Sequence, residues 1–300
     1  MQTRDERIGE LMILVPCVLE GLFPILAAMT GKVAPPIFFT GIGAICAALI
    51  FVCILLISGR FRQSISWEAF GYSVGVAIFV VLASSLIFIG ARITSGINTA
   101  LLLQSEMFFT FIFTMLVLGE RLRMQQFLGM AGVLCGTLLV LFNGTLAFNR
   151  GDLFIIAATA FFPIGNTFAK KVLLLLPPDV LLCLRYLLGG IVLLVISALM
   201  EDWSFLRTEI PLQFWMLLCM YVVLILVISK MFWYRGLRHL PLGKSVYIIS
   251  AAPAFSLFFA YVILREVPTA FQIMGFSLTL SGVYFLITRR KFRMPMPDPV

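Results

Sequence analysis

Four side chains able to carry charge or donate hydrogen bonds lie deep inside apolar sequence: Glu20, Glu106, Asn166 and Lys230. A charged group facing lipid at mid-bilayer costs several kcal/mol, so such residues are expected to face protein or water. Glu106 is about a dozen residues from either end of its apolar run, roughly 16–18 Å deep at about 1.5 Å per residue. Thr99, Thr110 and Thr114 share its helical face. Glu20 sits at similar depth within Pro16-Cys17-Val18-Leu19-Glu20-Gly21-Leu22-Phe23-Pro24, where two prolines disturb the backbone hydrogen-bond ladder. Carboxylates so placed could hold an ammonium group or exchange a proton. The plainer alternative is a carboxyl bonded within helix packing or steadying a kink. Lys230 shares a face with Trp233 and Tyr234 and could attract a carboxylate. Asn166, in Pro163-Ile164-Gly165-Asn166, either lines a cavity or bonds across helices. The expected substrate-binding or proton-coupling set is therefore Glu20, Glu106, Asn166, Lys230 and Trp233, with Pro16, Pro24, Pro163 and Pro253 as kinks or gates. Arg185, about six residues from the end of its run, is expected to snorkel, and Gln104 to pack.

Other chemistry is poorly represented. The six cysteines all lie in apolar runs with no Cys-x-x-Cys pair, and His239 is the single histidine, so no metal or cofactor is expected. There is no His-x-x-x-His, no Gly-x-Ser-x-Gly and no Asp-rich motif, which argues against an enzyme, including one acting on lipids. The net charge of +8 comes from basic residues scattered through loops rather than gathered on one face, so nucleic acid is not an expected partner. No appended soluble domain points to a sensor or scaffold. The expected partners are the lipid bilayer and a small-molecule substrate, with the chain a monomer or homodimer.

The elements that position these residues follow from composition. The chain is 61% hydrophobic and 12% charged, about half the charge of a typical soluble domain. Runs of roughly 20 apolar residues, each long enough to cross a bilayer core, recur throughout. Ten are expected, near 9–29, 35–58, 68–90, 95–118, 124–143, 152–172, 179–200, 211–234, 243–264 and 269–288. Prolines at 35–36, 177–178, 211, 241 and 268 suit first helical turns. The short N-terminus lacks a small-residue cleavage site, so the first span is expected to be retained. With the N-terminus in the cytoplasm, fourteen Lys and Arg (among them Arg60, Lys170, Arg238 and Arg289) fall inside and five (Lys32, Arg92, Arg150, Arg207, Arg265) outside. This places both termini in the cytoplasm.

The chain also repeats itself. Gly90, Arg92, Glu120, Gln126, Gly129 and Gly136 recur 146 positions later as Gly236, Arg238, Glu266, Gln272, Gly275 and Gly282. Gly9-Glu10-Leu11 and Pro35-Pro36 recur 142 positions later, as Gly151-Asp152-Leu153 and Pro177-Pro178. Five spans per repeat is an odd number, so the halves must be inverted relative to one another, an arrangement common among transporters. The expected fold class is an all-α membrane protein of ten transmembrane helices in two inverted five-helix repeats. The halves are expected at 1–146 and 147–290, with a short cytoplasmic tail at 291–300.

These features resemble the drug/metabolite transporter superfamily, EamA type. The resemblance rests on the ten-span duplication and on the end of each repeat. Leu118-Gly119-Glu120 is followed by Gln126-Phe127-Leu128-Gly129 and Gly136; Leu264-Arg265-Glu266 is followed by Gln272-Ile273-Met274-Gly275 and Gly282, with Pro253 inside the ninth span. Arg265 departs from the pattern, which has Gly there. Glu120 and Glu266 are expected to cap the helix that follows each of them. The resemblance implies export of amino acids, other metabolites or drugs from the cytoplasm through a cavity lined by the first, third and fourth helices of both halves. Alternating access and proton coupling through Glu106 are the expected mechanism; import or facilitated uniport is the alternative.

Overall fold

The computed structural model describes residues 4–60, 64–118, 124–142, 149–207, 209–240, 245 and 248–287. Each expected apolar segment is largely helical where it is described, and no strand occurs among the described residues. In the first half, α1 spans Arg4–Thr30, α2 Pro36–Ile57, α3 Trp67–Ile93, α4 Gly96–Leu102, α5 Glu106–Leu118 and α6 Met124–Phe142. In the second, α7 spans Arg150–Thr159, α8 Phe162–Leu175, α9 Pro178–Met200, α10 Leu212–Met220, α11 Lys230–His239, α12 Ala252–Phe259 and α13 Ala270–Ile287. Among the described residues, six helical segments are long and apolar enough to cross a membrane: Arg7–Thr30, Pro36–Ile57, Trp67–Ile93, Arg150–Leu175, Pro178–Met200 and Leu212–His239. The remaining apolar helices are shorter or interrupted. Large apolar side chains such as Ile57, Leu174 and Leu199 point outward, as a lipid-facing surface requires.

Local chemistry sets many of the boundaries. α2 and α9 each open with Pro in the first turn, where the missing N–H has no intrahelical partner to lose. α3 starts at Ser66, whose hydroxyl accepts from the Ala69 N–H.

The repeats pack as an inverted pair, visible in which residues meet. The equivalent helices α2 and α9 lie side by side: Gly41 abuts Leu193 and Leu194, and Gly190 abuts Ile45. Residue numbers rise along one helix as they fall along the other, so the two are antiparallel. Their ends are tied: Glu201 accepts from the Ile37 and Phe38 N–H groups at 2.8 and 2.7 Å, and Arg60 pairs with Asp179 at 2.9 Å. The equivalent helices α6 and α13 do the same through the repeated glycines. A Cβ on Gly136 would fall 2.6 Å from the Gly275 carbonyl oxygen, and one on Gly282 would fall 2.6 Å from that of Gly129. Backbones this close admit only glycine. The end of α3 meets the start of α7 at Gly90 and Gly151, and the end of α11 meets the start of α1 at Gly236 and Gly9. Each contact is the repeat image of the other.

Three features break the regular helices around the centre. The fourth span is interrupted by a 3₁₀ turn at Leu103–Ser105, and the ninth turns at 250–251 before α12. These positions correspond in the repeat. A third break, at 160–161, separates α7 from α8. In the eighth span, α10 and α11 are joined by a π-helix at Tyr221–Ser229. Irregular backbone of this kind is tolerated at membrane depth only where protein or a cavity satisfies it.

Candidate functional site: a charged cavity between the repeats

The breaks converge on a cavity of about 180 Å³. Its walls come from the first, third and fourth spans of both halves, with one further side chain, Arg185, from α9. Gln104 donates to the Ser250 carbonyl at 2.9 Å. These two are repeat equivalents, 146 positions apart, so their contact marks the pseudo-two-fold axis beside the cavity. The first residues of α5, α8 and α12 (Glu106, Phe162 and Ala252) all line it.

The expected binding residues come together here. Glu20, Glu106, Asn166, Lys230 and Trp233 all line the cavity. They are also paired with one another. Glu20 Oε1 accepts from Lys230 Nζ at 2.5 Å and from Ser229 Oγ at 2.6 Å, joining α1 to the start of α11. The two side chains keep 16% and 24% exposure, so the pair is only partly withdrawn from the cavity space. Glu106 accepts from Asn166 Nδ2 at 3.2 Å across α5 and α8. Trp233 is buried along the same wall.

The prolines act differently from one another. Pro16 and Pro24 lie inside α1, which continues through both. Pro163 and Pro253 occupy the first turns of α8 and α12, directly after the breaks, where proline needs no donor. Proline thus restarts a helix in the sixth and ninth spans, whereas in α1 it leaves the helix uninterrupted.

Glu266 is a cap, but of a different helix from the one expected. Its carboxylate accepts from the Gly96 and Ile97 N–H groups at 3.3 and 3.0 Å, at the start of α4 in the other half. The helix that follows Glu266 has its own reciprocal cap: Thr269 N–H donates to Gln272 Oε1, and Gln272 N–H donates to Thr269 Oγ1. Gln272 also donates to Asn98 Oδ1 at 2.6 Å, and Asn98 and Thr94 both donate to the buried Asp152. The start of α4 is therefore tied to the other half by several hydrogen bonds. Glu120 lies outside the described residues. Gly129 and Gly275, grouped with the two acids in the repeat motif, form the close α6–α13 contact.

Arg185 is the residue that sequence reasoning misplaced. Expected to snorkel outward, it is 7% exposed and lines the cavity. Its Nη1 donates to Tyr234 OH at 2.7 Å, and the guanidinium lies 5.0 Å from the Tyr186 ring centre and 5.8 Å from that of Tyr234. Tyr186 is itself fixed by donating to the Leu226 carbonyl of the π-helix at 2.8 Å. Distance from a helix end was the wrong guide. A better one was the repeat: the equivalent of Arg185 is Gly43, and a charge facing a glycine across a duplication signals divergence. Gln104, expected to pack, is buried and bonded to Ser250, and it also lines the cavity.

Among the described residues no group of three or more His, Cys, Asp or Glu is placed to hold a metal ion.

Residues 7–142 and 149–288 each match the EamA-like transporter family. The chain is 21% identical over 80% of its length to YyaM, an uncharacterized transporter of Bacillus subtilis (strain 168), covering 80% of that protein. It is 25% identical over 69% of its length to an uncharacterized transporter of Methanothermobacter thermautotrophicus, covering 61% of it. A solved crystal structure superposes with a TM-score of 0.69 at 17% identity, covering 92% of this chain and 95% of that one, a likeness of fold alone.

Proposed function

Because the chain belongs to the EamA-like transporter family and is a multi-pass membrane transporter, we propose that it exports small zwitterionic or cationic metabolites, with amino acids foremost, across the cytoplasmic membrane. Both termini lie in the cytoplasm in this reading, as the distribution of Lys and Arg favours. The observation that carries it is the cavity between the halves, which brings two acids (Glu20, Glu106) and two bases (Lys230, Arg185) to one place. A balanced set of opposite charges suits a molecule that itself carries both signs, since each end finds a counter-charge. The apolar remainder of the wall, including Phe23, Ile225 and Ile249, would accommodate a hydrocarbon portion.

Transport proceeds by alternating access. The halves are inverted copies, so exchanging their conformations moves the opening from one face to the other around a fixed site. The Glu20–Lys230 bridge ties α1 to α11 in the present state and loosens when a substrate ammonium competes for Glu20. The breaks before Pro163 and Pro253 supply the flexing points. Glu106 is the proton-exchanging carboxylate in a coupled cycle.

The test is comparative metabolite profiling of medium and cytosol from cells that overexpress the chain against cells carrying an empty vector. Several zwitterionic or cationic metabolites should accumulate outside the overexpressing cells at the expense of the cytosolic pool. Accumulation inside the cell would reverse the direction. Unchanged zwitterions alongside an exported anion or sugar would refute the substrate class.

A further inference from the structure

The guanidinium of Arg185 is buried without a counter-ion. Its side chain comes from α9, outside the set of spans that supplies the rest of the cavity wall, and it is 7% exposed. Among the described residues no carboxylate lies within 4.0 Å of it; the salt bridges there join other residues. Nη1 is satisfied by Tyr234 OH, but Nε is buried with no hydrogen-bond partner. An unpaired cation withdrawn from water is costly, and its unsatisfied donor adds to that cost.

The surroundings hold this group in place. The rings of Tyr186 and Tyr234 flank the guanidinium, and both aromatic residues are themselves buried. Stacking on aromatic faces fixes the plane of an Arg fork, leaving its remaining N–H groups directed by the frame rather than by rotation. A smaller cavity of about 50 Å³, lined by Arg185, Asn166, Lys230 and Trp233 and by aromatic rings, adjoins the larger one through these shared residues. The other charged groups of the site already have partners: Lys230 holds Glu20, and Asn166 holds Glu106.

We propose that Arg185 is the carboxylate anchor of the transport site, receiving the substrate's α-carboxylate on its unpartnered Nε–H while the ammonium end competes for Glu20. This rests on the zwitterion reading above and gives each end of the substrate a residue. It reassigns the anionic end from Lys230, whose partner in this structure is Glu20. A planar carboxylate matches the Arg fork geometrically, as it does not match the point charge of Lys.

The test uses the full chain in detergent and in proteoliposomes. Twenty amino acids and their α-amides are screened for thermal stabilisation and for counterflow. The amides keep the ammonium and lose the carboxylate. In the wild-type protein at least one amino acid should bind tenfold or more tightly than its amide. In Arg185→Gln that ratio should fall to within twofold, while binding of the amide is retained. Because removing a buried charge can impair folding, Arg185→Lys carries the same test: it keeps the charge and withdraws the Nε donor, and the ratio should fall at least threefold. If the wild-type preference for acid over amide survives intact in either folded variant, the anchor assignment is overturned and the zwitterion reading stands. If no amino acid binds the wild-type protein better than its amide, both fail.

Discussion

Glu20 and Lys230 meet across the interface between the halves, and neutralising both should cost less than the sum of neutralising each alone. The distance is 2.5 Å, and Ser229 adds a second donor to the same carboxylate oxygen. For a fully buried pair, removing one partner costs about 3–5 kcal/mol because a charge is left stranded. Here 16% and 24% of the two side chains remain exposed, so solvent relieves part of that penalty and about 2–3 kcal/mol is the better figure. Glu20→Gln retains an acceptor for Ser229 and isolates the charge; Lys230→Met retains the stem. Each single variant should lower the unfolding midpoint of the purified chain by roughly 5–10 °C, at about 2–4 °C per kcal/mol. In the double variant no charge is stranded, and the loss should be smaller than the sum of the two by about 1–3 kcal/mol. The assay is a thermal unfolding series on all four proteins in one detergent, with monodispersity checked first. Strict additivity would show that the two groups do not sense one another, and the bridge between α1 and α11 would fall with it.

Three further outcomes follow from particular contacts. Glu106→Gln keeps an acceptor for Asn166 but cannot exchange a proton; Glu20, Lys230, Arg185 and Asn166 line the same cavity. It should abolish the pH dependence of net transport in proteoliposomes while sparing substrate exchange; an unaltered pH response would remove Glu106 from coupling. Glu266→Ala should destabilise the fold by about 1 kcal/mol through loss of the α4 cap, and Thr269→Ala by a similar amount through loss of the α13 cap, measured as additive shifts in unfolding midpoint. Arg265 adopts φ 59°, ψ 23°, in the left-handed region that favours glycine. Arg265→Gly should therefore leave stability unchanged or raise it by up to about 1 kcal/mol, and a clear loss would mean the side chain contributes more than its backbone strain costs.

The scaffold was largely legible because it is built from short-range rules applied twice. Apolar length located the helices, proline pairs located their starts, and the repeated glycines located the closest backbone contacts. What the sequence concealed was pairing at a distance. Glu266 was assigned to the nearer helix because proximity in sequence made it a plausible cap. Thr269 and Gln272 already fulfil that role, leaving the carboxylate free to reach the start of α4. Lys230 and Glu20 are 210 residues apart, and no local pattern announces that they touch. The π-helix before Lys230 is equally hidden. Its sequence, YVVLILVIS, reads as an ordinary apolar helix, while its counterpart in α3 is α-helical.

The charges of the cavity follow a different logic from its walls. Every one of them has a neutral repeat equivalent: Phe162 for Glu20, Ser84 for Lys230, Ala252 for Glu106 and Gly43 for Arg185. Phe162, Ser84 and Ala252 line the same cavity, so the site is pseudo-symmetric in shape and wholly asymmetric in charge. In the proposed cycle, an exchange of conformation between the halves would convert the scaffold into its two-fold-related arrangement while leaving these side chains on the same helices. A bound zwitterion would therefore meet one set of counter-charges throughout the cycle while the route of access changes around it. If the halves exchange conformations as proposed, symmetry would bring the two open states close in packing energy, and the asymmetric charges would let one site serve both. On this proposal, substrate chemistry could change by substitution within the cavity without disturbing the paired helices, α2 with α9 and α6 with α13.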